Sequence, residues 1–254
     1  MIKVRQAFTP SVIAVTPEAR IPAAVELMRR EHVDALLVGG PDTYAGIVTE
    51  VDLVHRVLAE DRNPAATTVG EIMHGPVQEI DADESLAEAG DRMAQAHLRH
   101  LAVRDGGRIA GLLSVRELLA TDSLPLAPAR QIMSSPVHTI PAGTTARAAA
   151  VELKERRHGS LVVTRGDAPA GIVTESDLVH KVLGQGRPPA ETAVEEIMSA
   201  PLVSVDVNQP VESLRELMVK RRIRHLGVTE QGRIVGVISA RDLLHPTYYE
   251  VIGW

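Results

Sequence analysis

Two stretches of the sequence are nearly identical: residues 46–58 read GIVTEVDLVHRVL and residues 171–183 read GIVTESDLVHKVL. They match at 11 of 13 positions, at an offset of 125 residues. The same offset relates Arg99-His100 to Arg224-His225. Because internal periodicity indicates a repeat architecture, the sequence predicts that the 254-residue chain is a duplicated half.

Each half divides again at an offset of 65, which relates Gly46 to Gly111 and Gly171 to Gly236. Proline-containing segments separate the resulting units and are typical of linkers. These segments are residues 60–68, 122–130 and 184–193. We therefore predict four repeats, with the aromatic C-terminal tail included in the last. Their bounds are 1–64, 65–125, 126–190 and 191–254.

The fourth repeat illustrates the secondary structure expected of all four. Residues 202–205 favour a β-strand. Apolar residues then recur at helical spacing, at Val211, Leu214, Leu217 and Met218. Apolar runs on either side of Gln231-Gly232 predict a hairpin, and Ser239 begins a further helix through Leu244. The predicted order is strand, helix, strand, strand, helix, in a unit small enough to require pairing.

Composition excludes several classes of function. The net charge of −6 and the five aromatic residues argue against a nucleic-acid partner. No apolar run is long enough to predict a spanning helix, and the first residues do not predict a signal peptide. Cysteine is absent, which excludes disulfides and thiolate chemistry. By elimination we expect a cytoplasmic protein without a membrane partner.

A hydroxyl–acid motif, Gly-h-h-Ser/Thr-x-x-Asp/Glu (h, apolar), follows the last strand of every repeat. Its hydroxyl and acid residues are Thr49 and Asp52, Ser114 and Glu117, Thr174 and Asp177, and Ser239 and Asp242. One interpretation is a helix cap, because Ser or Thr with an acid three residues on satisfies free amides. The other is a ligand site, since a helix N-terminus favours phosphate and a carboxylate can accept both ribose hydroxyls. The two interpretations are compatible.

A second motif, Ile-Met-x-x-Pro, precedes the first strand of three repeats. It occupies residues 72–76, 132–136 and 197–201, whereas Ala7-Phe8 replaces Ile-Met in the first repeat. With the hydroxyl–acid motif and the predicted element order, this pattern resembles the cystathionine-β-synthase (CBS) domain family over nearly the whole chain. The resemblance implies a mixed α/β (α+β) fold of four β-α-β-β-α repeats. They would pair into two modules, residues 1–125 and 126–254, arranged as a pseudo-twofold disk.

The resemblance also implies a non-catalytic regulatory protein that senses an adenosine-containing ligand in clefts between paired repeats. AMP, ADP or ATP is expected first, followed by S-adenosylmethionine, NAD or a cyclic dinucleotide. In the family the acid of the motif holds the ribose and the hydroxyl residue contacts phosphate. Carried over by position, these roles fall on Thr49, Asp52, Thr174, Asp177, Ser239 and Asp242, with Ser114 a weaker candidate. The extra methylene of Glu117 would push its carboxylate into the space for the sugar.

Basic residues supply further candidate phosphate contacts. Arg99, His100, Arg224 and His225 precede the second strand of the even repeats only, and Arg116 and Arg241 precede the acids. The alternatives are a solvated basic helix end for the pairs and surface arginines for the other two. His55 and His180 follow their aspartates by three residues, and we interpret them as surface pairs because two ligands rarely hold a metal.

Two other function classes remain to be weighed. A structural adaptor would use the motifs only as caps and bind its partner through the disk or through the tail, residues 248–254. We expect the tail to dock, with Trp254 at least half buried. An enzyme is disfavoured because no repeat contains a nucleophile–base pair. The regulated partner protein is not identified by the sequence, and homodimerisation is left open.

Overall fold

The computed structural model describes residues 2–40, 43–119 and 127–243, so the tail and Trp254 lie outside the described residues. Each repeat has a three-stranded sheet. The strands are β1 Ala14–Val15, β2 Ala35–Gly40 and β3 Thr43–Thr49; β4 Glu79–Asp81, β5 His100–Asp105 and β6 Arg108–Ser114; β7 Thr139–Pro141, β8 Ser160–Arg165 and β9 Ala168–Thr174; and β10 Ser204–Asp206, β11 His225–Glu230 and β12 Arg233–Ser239. In every sheet the order follows the chain.

The first strand of each sheet pairs parallel with the second, and the second and third form an antiparallel hairpin. The predicted turn at Gln231-Gly232 is confirmed, and both residues adopt positive φ. Each hairpin is interrupted by one β-bulge. All four sheets therefore share one topology, as the duplication predicts.

A long helix crosses each sheet between its parallel strands, and a shorter helix follows the third strand of repeats one to three. The crossing helices are α1 Ile21–Glu31, α3 Leu86–Gln95, α6 Ala146–Arg156 and α9 Val211–Arg221. The helices after the third strands are α2 Glu50–Asp52, α4 Val115–Leu119 and α7 Glu175–Lys181. Helix α2 continues as a wider π-helical segment, Leu53–Leu58. Shorter helical turns precede the first strands, at Val4–Gln6, Val69–Glu71, α5 Ala129–Ile132 and α8 Val194–Ile197, and one follows α7 at Leu183–Gln185.

The predicted order of strand, helix, strand, strand and helix is confirmed for the first three repeats. In the fourth, residues 240–243 after Ser239 form a turn, and the rest of the predicted helix lies outside the described residues. The helix predicted around Leu214 is α9, in which Val211, Leu214 and Met218 are buried. Within the described ranges, none of the helices combines the length and apolar character that crossing a membrane requires.

The chain divides into two compact units that do not follow its two halves. One comprises Ile13–Val77 and His138–Leu202, and the other comprises the described residues before Ile13, from Gln78 to Val137 and from Val203 onward. The predicted modules, 1–125 and 126–254, would have grouped neighbouring repeats. The compact units instead combine repeats 125 residues apart, because their helices share one core: in the first unit Leu53 and Val57 belong to the same cluster as Ala150.

The Ile-Met-x-x-Pro motif (hereafter the Ile-Met-Pro motif) of one repeat packs on the sheet of the repeat next to it in sequence. His74, directly after this motif's Met73, exchanges two backbone hydrogen bonds with Ile47 in β3, of 2.8 and 2.9 Å. Equivalent bridges join Thr9 to Leu112, Ser134 to Val237 and Ser199 to Ile172. This exchange explains why the first compact unit extends to Val77, well into the predicted second repeat.

Glycine of the hydroxyl–acid motif makes this close packing feasible. A Cβ on Gly46 would lie 2.3 Å from the His74 carbonyl oxygen and 3.0 Å from Met73 Sδ. At Gly111 it would lie 2.1 Å from the Thr9 carbonyl and 2.9 Å from the ring of Phe8. Phe8 therefore takes the place that methionine has in the other repeats, which accounts for the departure of the first repeat from the motif.

Candidate functional site

Each hydroxyl–acid motif forms a hydrogen-bonded cap at the end of the third strand. Asp52 Oδ2 accepts hydrogen bonds from the Thr49 amide at 2.9 Å and the Thr49 hydroxyl at 2.8 Å. Asp177 Oδ2 accepts the same pair from Thr174 at 2.9 and 2.7 Å. Asp242 accepts them from Ser239 at 2.6 and 2.8 Å. The capping interpretation therefore describes the geometry of these motifs.

The three aspartates are buried, although a carboxylate is costly to remove from water. Asp52, Asp177 and Asp242 are 1%, 7% and 8% exposed. In each of them the cap engages Oδ2. The partners of the other oxygen, Oδ1, differ between Asp52 and Asp177.

At Asp52 the second oxygen faces a histidine and an arginine. His74 Nδ1 lies 2.5 Å from Asp52 Oδ1, and Arg56 Nε lies 3.8 Å from it. Asp52 Oδ1 is itself buried without a partner in hydrogen-bond geometry. The carboxylate thus lies beside two basic side chains, and Oδ1 retains capacity as an acceptor.

At Asp177 the second oxygen is compensated by a lysine and a hydroxyl. Lys181 Nζ lies 2.7 Å from Asp177 Oδ1, and Ser199 Oγ donates to the same atom at 3.4 Å. Ser199 occupies the position of the neighbouring Ile-Met-Pro motif that His74 occupies at the first site. The two sites therefore have the same cap and different outer partners.

Glu117 uses its greater length to reach the neighbouring repeat. Glu117 Oε2 accepts hydrogen bonds from the Ser114 amide at 2.8 Å and from the Ser114 hydroxyl. Its other oxygen, Oε1, accepts from Thr9 Oγ1 at 3.2 Å. The added methylene brings the carboxylate within hydrogen-bond distance of Thr9 in the first repeat. That it obstructs a sugar remains a prediction.

The structure brings each basic pair to the hydroxyl–acid motif of its own repeat. His100 pairs with Ser114 across the hairpin and His225 with Ser239. The Arg99 carbonyl accepts a hydrogen bond from the Val115 amide at 3.0 Å, and Arg224 accepts one from Ala240 at 2.8 Å. Both pairs are half-buried, whereas Arg116 and Arg241 are exposed beside them.

His55 and His180 are not the surface residues that the sequence analysis assumed. His55 Nε2 lies 3.8 Å from Glu175 Oε1, and His180 Nε2 lies 3.0 Å from Glu50 Oε1. Both glutamates are 3% exposed, and the histidine side chains are 22% and 30% exposed. These residues link repeats one and three within one compact unit. In the part of the chain that the structure describes, no group of three or more His, Asp or Glu side chains is arranged to hold a metal.

Sequence reasoning missed His74, Ser199 and Lys181 as partners of the acids. Lys181 follows Asp177 by four residues, a spacing that places two side chains on one helical face. His74 and Ser199 share one position after the methionine of their motif, which an alignment of the four repeats would have shown. Only the packing of one repeat's Ile-Met-Pro motif on the sheet of the neighbouring repeat shows that this position faces the acid.

Comparisons with known proteins agree with this architecture. The family model described as CBS domain matches residues 4–59, 69–123, 129–184 and 194–246. A CBS domain-containing protein of Arabidopsis thaliana, CBSCBSPB1, is 25% identical over 94% of this chain and 52% of its own length. The uncharacterized protein MK0525 of Methanopyrus kandleri is 36% identical over 42% of this chain and 57% of its own length. The chain thus spans about half the length of these two relatives.

Solved structures share the fold over nearly the whole chain. Protein MJ1225 of Methanocaldococcus jannaschii, described as a candidate archaeal homolog of g-AMPK, has a TM-score of 0.81 and 21% identity, covering 96% of this chain and 99% of that one. A conserved protein of Pyrococcus horikoshii has a TM-score of 0.65 and 20% identity, covering 96% and 98%. At this identity the likeness concerns the fold. With four matched segments covering most of its length, the chain belongs to the CBS domain family.

Proposed function

We propose that this chain is a non-catalytic regulatory protein that binds an adenosine-containing ligand at its hydroxyl–acid motifs. AMP, ADP or ATP is the first candidate, and S-adenosylmethionine, NAD or a cyclic dinucleotide follows. Membership of the CBS domain family supports this function. The description of protein MJ1225 as a candidate g-AMPK homolog favours an adenine nucleotide among these ligands.

The observation that carries the proposal is that the two carboxylate oxygens of Asp52 and of Asp177 have different partners. Oδ2 of Asp52 and of Asp177 completes the cap, while Oδ1 faces side chains outside the cap. Both hydroxyls of a ribose can donate to such an oxygen. Hydrogen bonds to a charged group contribute roughly 1.5–3 kcal/mol each, enough to compete with a partly exposed ion pair. The aspartate can therefore bind ribose without giving up its cap.

Phosphate recognition is assigned to the groups around the same motif. The N-terminus of α7 provides backbone amides and the positive end of a helix dipole beside Thr174. In the fourth repeat Arg224 and His225 lie across the hairpin from Ser239, and Arg99 and His100 lie likewise beside Ser114. Arg116 and Arg241 add exposed positive charge next to the acids. Because only five residues of the chain are aromatic, aliphatic side chains would hold the adenine.

A thermal-shift panel tests the proposal. It contains AMP, ADP, ATP, S-adenosylmethionine, NAD and cyclic diadenylate. A ligand at about a hundredfold its Kd stabilises the fold by roughly 2.7 kcal/mol, which raises the melting temperature by about 5–11 °C for a chain of this length. If every compound leaves the midpoint unmoved, the proposed function is refuted.

A structural adaptor is the second candidate, and the caps favour it. All four acids complete a cap, and a structural role alone would account for this geometry. A partner protein would then bind the folded repeats or the tail. The same panel separates the two functions, since an adaptor is not stabilised by nucleotides. An isotope-traced assay of bound nucleotide tests the absence of catalysis.

A further inference from the structure

One position of the Ile-Met-Pro segment differs in chemistry among the four repeats. Directly after the methionine, or after Phe8 in the first repeat, stand Thr9, His74, Ser134 and Ser199. Three of these residues carry small hydroxyl side chains, and His74 carries a ring. Three of them contact an acid of the hydroxyl–acid motif: Thr9 contacts Glu117, His74 contacts Asp52 and Ser199 contacts Asp177.

The ring of His74 is held on both sides. Its Nδ1 lies 2.5 Å from Asp52 Oδ1, and its Nε2 lies 2.9 Å from Arg56 Nη2. A guanidinium can only donate, so Nε2 accepts from Arg56 and the ring proton is on Nδ1, toward Asp52. This tautomer accepts the hydrogen bond from Arg56 at Nε2 and places the Nδ1 proton on the side of Asp52. The arrangement fixes the ring over the acid.

The ring forms the outer layer of this site. Asp52 is 1% exposed, whereas the His74 side chain is 59% exposed. A sugar hydroxyl approaching Asp52 Oδ1 must therefore displace the imidazole. At Asp177 the equivalent residue is Ser199, whose small hydroxyl leaves the carboxylate without a ring above it. The closest cation is the amine of Lys181, which lies 2.7 Å from Oδ1 and also donates to the Ile197 carbonyl at 2.6 Å. A ribose that replaces this amine at Oδ1 leaves it bonded to the Ile197 carbonyl and displaces no ring.

We propose that His74 determines affinity at the first repeat by closing the Asp52 site, so that the Asp177 site binds the adenosine ligand more tightly. The inference rests on the proposed function of the motif. Displacing a charge-assisted contact weakens binding by roughly tenfold to a hundredfold. The repeats thus differ in affinity because of a residue contributed by the neighbouring repeat.

Reciprocal substitutions within this chain test the proposal by calorimetric titration with AMP, or with the most stabilising compound of the panel. His74→Ser is measured in an Asp177→Asn, Asp242→Asn background, which isolates the Asp52 site. Ser199→His is measured in an Asp52→Asn, Asp242→Asn background, which isolates the Asp177 site. Unligated melting temperatures verify that each variant is folded.

The expected results are opposite in sign. His74→Ser raises affinity roughly tenfold to a hundredfold, and Ser199→His lowers it by a similar factor. Two results would overturn the inference in a protein whose wild type still binds nucleotide. One is unchanged or reduced affinity in folded His74→Ser. The other is no binding at the isolated Asp52 site, whether residue 74 is histidine or serine. If His74→Ser does not fold, the Ser199→His result decides, and unchanged affinity there overturns the inference. If the wild type binds no compound, the proposed function and this inference both fall.

Discussion

At the scale of single residues, the two carboxylate oxygens of a buried aspartate have different partners. In Asp177, Oδ2 accepts two hydrogen bonds from Thr174 and Oδ1 faces Lys181 and Ser199. Because the cap uses Oδ2, it does not conflict with the ribose contact proposed for Oδ1. A substitution can separate the cap from the proposed contact, because they depend differently on the charge of the side chain.

Asp177→Asn should preserve the fold. Asp177 is the third residue of α7, and asparagine there keeps one oxygen that can accept hydrogen bonds from the Thr174 amide and hydroxyl. The lost ion pair with Lys181 is partly exposed. We expect the free energy of unfolding without ligand to fall by about 1 kcal/mol or less. Urea denaturation monitored by circular dichroism measures it. A much larger loss would mean that the negative charge itself stabilises the fold.

Glu117→Gln provides a control for nucleotide binding. Glu117 is one methylene longer than the three aspartates, and its second carboxylate oxygen accepts a hydrogen bond from Thr9 of the first repeat. The site of the second repeat is therefore expected to contribute no ribose contact, and the variant should bind the same total amount of nucleotide as the wild type. Calorimetric stoichiometry measures this, and a reduced number of sites would assign a ligand to Glu117.

At the scale of elements, the residue directly after the hydroxyl of the motif distinguishes the two compact units. Glu50 of α2 accepts a hydrogen bond from the Ser176 hydroxyl of α7 at 2.9 Å and lies 3.0 Å from His180. The residue equivalent to Glu50 in the second repeat is Val115, and the residue equivalent to Glu175 in the fourth is Ala240, both 8% exposed. This position thus holds buried glutamates in one unit and apolar side chains in the other.

A double-mutant cycle tests this polar contact. Removing one partner leaves a buried charge poorly compensated, so His180→Leu should destabilise the fold by about 1–3 kcal/mol. Adding Glu50→Val, the residue found at position 115, should recover part of that loss, because an apolar pair can replace a buried ionic one. Chemical denaturation of the four proteins measures the coupling. Additive losses would contradict the contact.

His138 makes stability depend on pH in a defined direction. Partial burial, and secondarily the charge of Arg156, lowers the pKa of His138 below its ordinary value. The unfolded chain therefore binds this proton more readily, so the contribution of His138 is present above about pH 6.5 and is lost as the pH falls. His138→Gln should flatten the dependence of the melting temperature on pH between about 5 and 7. An unchanged slope would argue against this assignment.

At the scale of the whole molecule, duplication explains which repeats share a core. The segments that follow the third strands of repeats one and three are nearly identical, and such surfaces can pack against each other around a local twofold axis. In one unit the buried residues Leu53, Val57, Ala150 and Leu178 belong to a single cluster. In the other, Leu118 and Leu214 share a cluster. Each unit therefore depends on both halves of the chain.

A fragment of residues 1–125 should consequently not remain a monomer. It would expose the face that includes Leu53 and Val57, which is covered in the full chain by the third repeat. We expect it to dimerise at micromolar concentration, with a second copy in place of the missing half. Light scattering after size-exclusion chromatography measures the mass. A stable, well-folded monomer would contradict the shared core.

How far the sequence predicts this structure depends on how far apart in the chain the interacting residues lie. The element order and the hydroxyl–acid caps depend on residues close in the chain, and both were predicted. The contact of His74 with Asp52 and the grouping of repeats one and three depend on which surfaces meet in three dimensions. Local periodicity indicates that a face is buried and does not identify the surface that covers it. The tail remains a prediction outside the described residues.

The most direct test of the account is a calorimetric titration that compares wild type and Asp177→Asn with the nucleotide that stabilises the wild type most. The substitution replaces a charged acceptor of two ribose hydroxyls by a neutral amide while the cap remains. Affinity should fall about ten- to a hundredfold at the Asp177 site, with the unligated protein still folded. Equal affinity in the folded variant would mean that Asp177 is only a helix cap and would contradict the proposed ribose site.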